Sequence, residues 1–406
     1  MENPRPRVAI VGGGFAGLAC ARALDPRRFD VLLVDRSAQF EFVPNIHEIV
    51  SGVKTPETVQ LPLRPVMDSL GHRFRRATVQ SADTEARQLL LGRGRPVDYD
   101  TLVMAAGATD ATFGVPGVRD HSVSFQTASD CRQIARRLAH LAGRRQPARA
   151  VINGGGITGI EALGEILRRY RNSGLATTVV EARERLLPQQ PAGLDPYVRD
   201  LSAPYNVELL TGTAVRAIGP ASVELVDGRT LPSDLTLWTG GPAPQPLLSE
   251  SGLAEPGAWA PVDAYLRSTL GEGVYVAGDA AELPTPQARQ AYHSLDMGAA
   301  VARNLLRQSR GRQPARYHPS AKPVLVSFGD LGAILVVGPC ALAGPALGAG
   351  KELIFETVMA QLDDRRGASP LLAALGRGEL AVRRLAWPTA RSLRALRRQF
   401  DFRPLI

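Results

Sequence analysis

Apolar residues fall in short dense runs along the chain, each followed by glycines and then by a stretch with helical spacing. The first run, Val8 to Val11, reads as a buried strand. It leads into Gly12-x-Gly14-x-x-Gly17, a helical stretch, and a second run, Val31 to Val34, closed by Asp35. The order returns in ARAVINGGGITGIEALGEILRRY: strand, Gly154-x-Gly156-x-x-Gly159, helix, and then ATTVV closed by Glu181. Strand, glycine turn, helix, strand and acid form a dinucleotide-binding signature, and two copies predict two such pockets. The first glycine permits the tight turn, the second lets backbone approach a pyrophosphate, and the third allows close packing of helix on strand. The helix start offers unpaired N–H groups and a favourable dipole to the phosphates. Asp35 is placed to accept a hydrogen bond from a ribose. Glu181 does the same in the second copy and repels a 2′-phosphate, which favours NAD over NADP, while Arg183 and Arg185 close behind pull the other way.

The remaining pattern fills in around these two units. In FEFVPNIHEIVSG, apolar and polar residues alternate up to Pro44 and a short helix follows, with His47 and Glu48 read as a surface or capped pair. Residues 72–92 read as two strands with a turn between them, and 99–108 as a strand leaving through Ala105-Ala106-Gly107. Residues 128–141 form a helix with a basic outer face and a buried Cys131. Asp227-Gly228 marks a hairpin, and Trp238-Thr239-Gly240-Gly241-Pro242 repeats the small-residue strand exit. Prolines 242, 244, 246, 256 and 261 mark a connecting segment before a strand, Gly278-Asp279, a proline-bearing loop and a long helix. Residues 331–350 carry no charge, yet Gly338-Pro339, Gly344-Pro345, Gly348 and Gly350 would break a membrane helix, so two buried strands with turns are expected. From 369 to 403 there are eight arginines and two acids. A last helix starting at Pro388 collects Leu393, Leu396 and Phe400 on one face, a basic amphipathic anchor for an anionic membrane surface.

Composition narrows the classes. A chain of 406 residues can form two or three domains, and 44% apolar with 21% charged residues argues against disorder. The net charge of +9 suits nucleic acid, an anionic membrane or a plain basic surface, but aromatic content of 5% without a stacking motif speaks against nucleic acid. The scattered cysteines Cys20, Cys131 and Cys340 form no CxxC and no metal-ligand spacing, so a reducing cytosol is expected. The first strand begins almost at once, leaving no room for a signal peptide.

Taken in order, the first glycine motif, Asp35, AAG, the second glycine motif, Glu181, WTGG and VYVAGDAAELPTPQARQA resemble the two-dinucleotide-binding flavoproteins of the pyridine-nucleotide oxidoreductase superfamily. Within it the chain is similar to type II NADH:quinone oxidoreductases and their apoptosis-inducing-factor-like, quinone-reducing relatives. The resemblance implies an α/β fold of two Rossmann-like three-layer domains, the NAD domain inserted in the FAD domain, with a C-terminal region. The expected parts are 1–112 and 245–325 for FAD, 113–244 for NAD(P)H, and 326–406 for an interface or membrane-association region. It implies that Gly12, Gly14, Phe15, Ala16, Gly17, Asp35, Arg36, Pro44, Val79, Ala106, Gly107, Gly278 and Asp279 hold FAD. Gly154, Gly156, Thr158, Gly159, Glu181 and Gly240 would serve NADH. Glu161 matches a glutamate placed near nicotinamide and flavin, and Lys351 a lysine near the flavin. Gln287 falls in the stretch where quinone reductases carry AQxAxQ, here Pro286-Gln287-Ala288-Arg289-Gln290-Ala291 with alanine at the last position.

The implied activity is NADH oxidation through FAD with a quinone as acceptor, at the inner face of the cell membrane, reached peripherally through the basic C-terminal helix. NADPH is the lesser donor, no nucleic acid is involved, and a homodimer is compatible with this reading. The CxxxxC of the superfamily's disulfide reductases is missing, since Cys20 stands alone, and the cysteines used by sulfide:quinone reductases have no counterpart in context. Alternatives are a soluble reductase of a small iron–sulfur protein such as a ferredoxin, a nucleotide-binding sensor and, behind these, a sulfide:quinone-type reductase.

Overall fold

The computed structural model describes residues 4–363 and 403–405. Two five-stranded parallel sheets organise it. In the first, the spatial order is Val274–Val276, Thr101–Met104, Arg7–Val11, Asp30–Asp35 and Arg73–Arg76. In the second it is Ser122–Ser124, Leu235–Trp238, Arg149–Asn153, Ala176–Glu181 and Val207–Thr211. The second sheet therefore lies wholly within the chain between two strands of the first. Val8 to Val11 and Leu102 to Met104 are buried on both faces, as continuous apolar runs in a covered parallel sheet should be.

Each sheet turns on the same glycine geometry. Gly12 has φ +104°, and a Cβ there would lie 2.2 Å from the Ala105 carbonyl oxygen. Gly154 has φ +109°, and its Cβ would lie 2.5 Å from the Thr239 carbonyl oxygen. Only glycine lets the chain turn back so close to the neighbouring strand. The helices that follow, Phe15–Ala23 and Ile157–Tyr170, start at once and cover the sheets.

A third, antiparallel sheet contains Val324–Phe328, Gly332–Val337, Cys340–Ala343 and Arg403–Leu405 in that order. The Ile157–Tyr170 helix approaches it at Gly164, where a Cβ would meet the Gly329 nitrogen at 2.5 Å. Arg171 grips Asp330 with two bonds of 2.7 and 2.8 Å at the same joint. The helix Leu347–Leu362 then packs against the first unit through Phe355, whose ring meets Phe42 at 4.9 Å. Phe42 in turn meets Phe15 of the first glycine helix.

Three expectations change. Residues 73–83 are not one strand, because Arg73–Arg76 ends the first parallel sheet and Val79–Asp83 pairs with Gln88–Leu91 in a separate antiparallel sheet. The break follows the Ala77 N–H bond to Asp35, after which the chain leaves that ladder. Residues 332–343 form the expected strand pair, with Gly338 at φ +57°, but Gly348 and Gly350 lie inside the Leu347–Leu362 helix instead of breaking structure. The proline-marked connection also has structure of its own: Pro242–Pro244 pairs with Ala108–Asp110, and Pro246–Glu250 is helical. The proposed basic helix from Pro388 lies outside the described residues. Both ends of the stretch containing it adjoin described elements, since Leu347–Leu362 precedes it and Arg403–Leu405 follows as a fourth strand. No described helix is long and apolar enough to cross a membrane.

Gly164→Ala gains roughly 1 kcal/mol of helix propensity. It loses more, because the atoms met by the new methyl are backbone atoms of Phe328 and Gly329 that cannot swing aside. The expected outcome is a net destabilisation of about 1–2 kcal/mol, read as a lower Tm by circular dichroism. An unchanged or raised Tm would show that this joint is loose.

Candidate active site

A cavity of about 610 Å³ opens at the carboxyl ends of the first sheet's strands. Its walls come from the first glycine turn through Phe15 and Ala16, from Asp35 and Arg36, from Val79, from Ala105 to Ala108, and from Gly278 and Asp279. Thr158 and Thr239 of the second unit close one side. A Cβ added at Gly14 or Gly107 would meet nothing within 4 Å, so backbone is laid open there. The Phe15–Ala23 helix has neither a side-chain cap bond nor an acid in its first turn, which leaves its N–H groups available to an anion. The Ile157–Tyr170 helix starts in the same way.

The acids that end the second strands are held alike. Asp35 accepts from the Gly13 N–H at 2.6 Å and from the Ser37 N–H at 2.6 Å. Glu181 accepts from the Gly155 N–H at 2.7 Å and the Arg183 N–H at 2.9 Å. Each carboxylate is thus fixed in orientation, and its further lone pairs suit ribose hydroxyls. Asp279 lies deep in the wall beside the Ser294 hydroxyl, and burial raises its carboxyl above the ordinary range, opposed by Arg289. Arg289 donates to the Asp279 carbonyl at 3.0 Å, pairs with Glu282 and stacks at 3.6 Å over the Trp259 ring.

A cavity lined by a glycine turn, an uncapped helix start and an oriented acid fit a dinucleotide. A family comparison agrees: the pyridine nucleotide-disulphide oxidoreductase model matches residues 6–298. The chain belongs to this family. It is an FAD- and NAD(P)H-dependent oxidoreductase related to the type II NADH:quinone oxidoreductases. It is 27% identical over 380 residues to demethylphylloquinone reductase NdbB of a Synechocystis species, covering 87% of this chain and 92% of the relative. To a type II NADH:quinone oxidoreductase of Staphylococcus aureus it is 24% identical over 387 residues, covering 87% and 95%. In fold it matches NDH2 of Plasmodium falciparum, solved with NADH, at a TM-score of 0.80 and 15% identity, covering 88% and 95%. The family's description includes disulphides, yet Cys20, Cys131 and Cys340 are all free. Burial pushes the Cys20 thiol up to about 12, so at neutral pH it is no nucleophile.

Behind the cavity wall lies a cluster of charge. Glu161 is one helical turn past Thr158 and is 8% exposed. Its Oε1 accepts from Lys351 Nζ at 2.5 Å and from the Ser327 N–H at 3.1 Å. His47 does not lie on the surface, nor does Glu48; each is 2% exposed. The His47 Nδ1 is 3.7 Å from Glu161 Oε2, and its Nε2 is 3.4 Å from Lys351 Nζ. The clue was available in IHEIV, where Ile46, Ile49 and Val50 are buried around the two polar residues. A segment of that composition turns inward and takes its neighbours with it.

The other proposed site residues divide. Gly12, Gly14, Phe15, Ala16, Asp35, Arg36, Val79, Ala106, Gly107, Thr158, Gly278 and Asp279 line the cavity. Gly17 packs against the Gly12 carbonyl, Pro44 follows the lining residue Val43, and Gly240 faces the Trp238 indole. Gly154, Gly156, Gly159 and Glu181 build the second turn. Gln287 is not among the residues that line the cavity, and its carboxamide lies beside the Tyr317 hydroxyl.

Lys351→Met strands the Glu161 carboxylate in the interior and is expected to cost about 3 kcal/mol. Adding Glu161→Gln should restore about 1–2 kcal/mol of that loss. Denaturant melts of both single variants and the double variant measure the coupling; additive losses would mean the two side chains do not interact.

Proposed function

We propose that this chain passes electrons from NADH, through FAD, to a quinone. The observation that carries the reading is the buried Glu161–Lys351 pair, one helical turn from Thr158 of the cavity wall. Support also comes from the cysteines: Cys20 and Cys131 are buried with their thiols pushed up by burial, and Cys340, which is exposed, is free and unpaired with either. FAD, when bound, supplies a hydride acceptor that can release electrons singly or in pairs. The first glycine turn and Asp35 would hold its diphosphate and ribose, and Asp279 its ribityl chain. The second glycine turn and Glu181 would hold NADH, with Gly240 at the strand exit beside it. Glu161 would orient the nicotinamide or the quinone and hold a proton, while Lys351 keeps that carboxylate in place. Gln287 belongs to the acceptor side in this reading.

In this reading FAD binds to 1–112 and 245–325, NAD(P)H to 113–244, and 326–406 serves association. The arginines between 369 and 403 would draw the protein to an anionic membrane surface, where a lipid-soluble acceptor resides. We place it peripherally, on the inner face of the cell membrane.

Two measurements test this. FAD-loaded protein mixed anaerobically with NADH should bleach at the flavin absorbance and recover rapidly on a short-chain quinone. Bleaching without recovery would sink the quinone and point to a protein acceptor such as a ferredoxin; no bleaching at all would point to another donor or a sensor. In steady state, Glu181→Gln should lower the NADH-over-NADPH ratio of kcat/KM by about tenfold. A ratio that stays put would remove Glu181 from nucleotide choice.

A further inference from the structure

The Gly278–Ala280 turn is wedged between two helices. A Cβ on Gly278, at φ +75°, would lie 3.1 Å from the Ala16 methyl and 3.3 Å from the Ser294 hydroxyl. One on Gly298 would lie 2.1 Å from the Ala16 carbonyl oxygen. This close approach of the Phe15–Ala23 and Ala291–Gln308 helices fixes the turn that puts Asp279 in the cavity wall. The two helices bring Ala16 and Ser294 to the turn, and both are uncharged. The charge that reaches the Asp279 carboxyl is the Arg289 guanidinium, from the loop before the second helix. Arg289 is itself held on three sides. Its Nε donates to the Asp279 carbonyl at 3.0 Å, a terminal nitrogen pairs with Glu282 at 2.9 Å, and the guanidinium lies 3.6 Å from the Trp259 ring centre. A planar guanidinium bonded along its edges and stacked on its face is tightly oriented. In Pro286–Ala291 it stands where AQxAxQ has its second alanine, so a charge enters that the motif does not carry.

We propose that Arg289, clamped by Trp259 and Glu282, is a positioning residue for FAD: it pins the turn at the Asp279 carbonyl, and its charge keeps the Asp279 carboxylate an acceptor for the ribityl chain. The proposal rests on the reading above that Asp279 holds that chain. An ionised carboxylate only accepts, and its hydrogen bonds are about twice as strong as those between neutral groups. Burial works against this by favouring the protonated form. It does raise the Asp279 carboxyl, with Arg289 and the Ser294 hydroxyl opposing it. A guanidinium stays protonated throughout the working pH range, so it is a fixed counter-charge. Its side chain is only 25% exposed, against 46% for Glu282, which limits screening by salt. Without the guanidinium the carboxyl moves further up, and the acceptor is lost first on the acid side of neutrality. Arg289 does not line the cavity and so acts through Asp279.

The test follows FAD release from the full FAD-loaded chain on dilution, read as the rise in flavin fluorescence, at about pH 6 and about pH 8. The wild-type rate should differ little between the two. Arg289→Met should release FAD about tenfold faster than wild type at the acid pH, with most of that gap closed at the alkaline one. Arg289→Lys keeps the charge but not the stacked fork, and should restore the flat profile at a modestly raised rate. Trp259→Leu, a half-buried change that loosens the guanidinium without removing it, serves as a second variant and should give a smaller loss with the same pH dependence. Added to Asp279→Asn, Arg289→Met should accelerate release by less than about threefold. Equal acceleration by Arg289→Met at both pH values would mean that the arginine only shores up the turn, and would overturn the proposal. Wild-type release from every Arg289 and Trp259 variant would overturn it as well. If Asp279→Asn alone releases FAD at the wild-type rate, Asp279 does not hold the cofactor, and that reading falls together with the proposal.

Discussion

A carbonyl oxygen about 2 Å from where a side chain would begin is the constraint on which the rest of this molecule hangs. At Gly12 that oxygen belongs to Ala105, and at Gly154 to Thr239. Because no Cβ is present, the first strand of each sheet turns sharply beside the strand that leaves the sheet, and the helix starts there with free N–H groups. The acid at the end of the next strand is then close enough to bond the glycine loop's own N–H, at 2.6 Å from Asp35 and 2.7 Å from Glu181. Cavity, helix terminus and acid are consequences of one backbone turn made twice.

What joins the two copies is chemically different. The Leu347–Leu362 helix reaches the first unit through Phe355 and the ion pair of Lys54 with Glu352, and the second unit through Lys351 and Glu161. Ion pairs this deep give little net stability, since desolvation offsets most of their attraction. Their worth lies in position. An apolar joint would hold the helices as well, but it would set no oriented carboxylate next to the cavity. The Gly164–Gly329 approach works alongside it, bringing the helix that carries Glu161 close enough for Ser327 to donate to that carboxylate.

Much of the fold was legible because periodicity and glycine spacing are local properties. The central strands of both parallel sheets, Arg7–Val11 with Asp30–Asp35 and Arg149–Asn153 with Ala176–Glu181, were visible as apolar runs, and the hairpin at Asp227-Gly228 as a turn signal, whereas the short edge strand Ser122–Ser124 carried no such run. The misses were all places where a distant partner decides. Val79–Asp83 continues the pattern of Arg73–Arg76, but a different sheet claims it. Gly348 and Gly350 read as helix breakers, yet they lie in a helix whose later turns are anchored by Phe355, Val358 and Met359 in the core. His47 and Glu48 read as surface residues because polar side chains usually are; buried carboxylates and a lysine brought from elsewhere in the chain make the exception.

The sequence by itself determined that there are two dinucleotide turns, which acid ends each, and that no cysteine pair accompanies them. Those features follow from steric rules acting over a few residues, so any chain with this order must express them. Only the tertiary structure decided that His47, Glu161 and Lys351 meet, because they come from three segments that share no local pattern. A buried charge finds its partner through the packing of whole helices, and that packing is settled by the summed burial of many side chains, not by the residues that carry the charge.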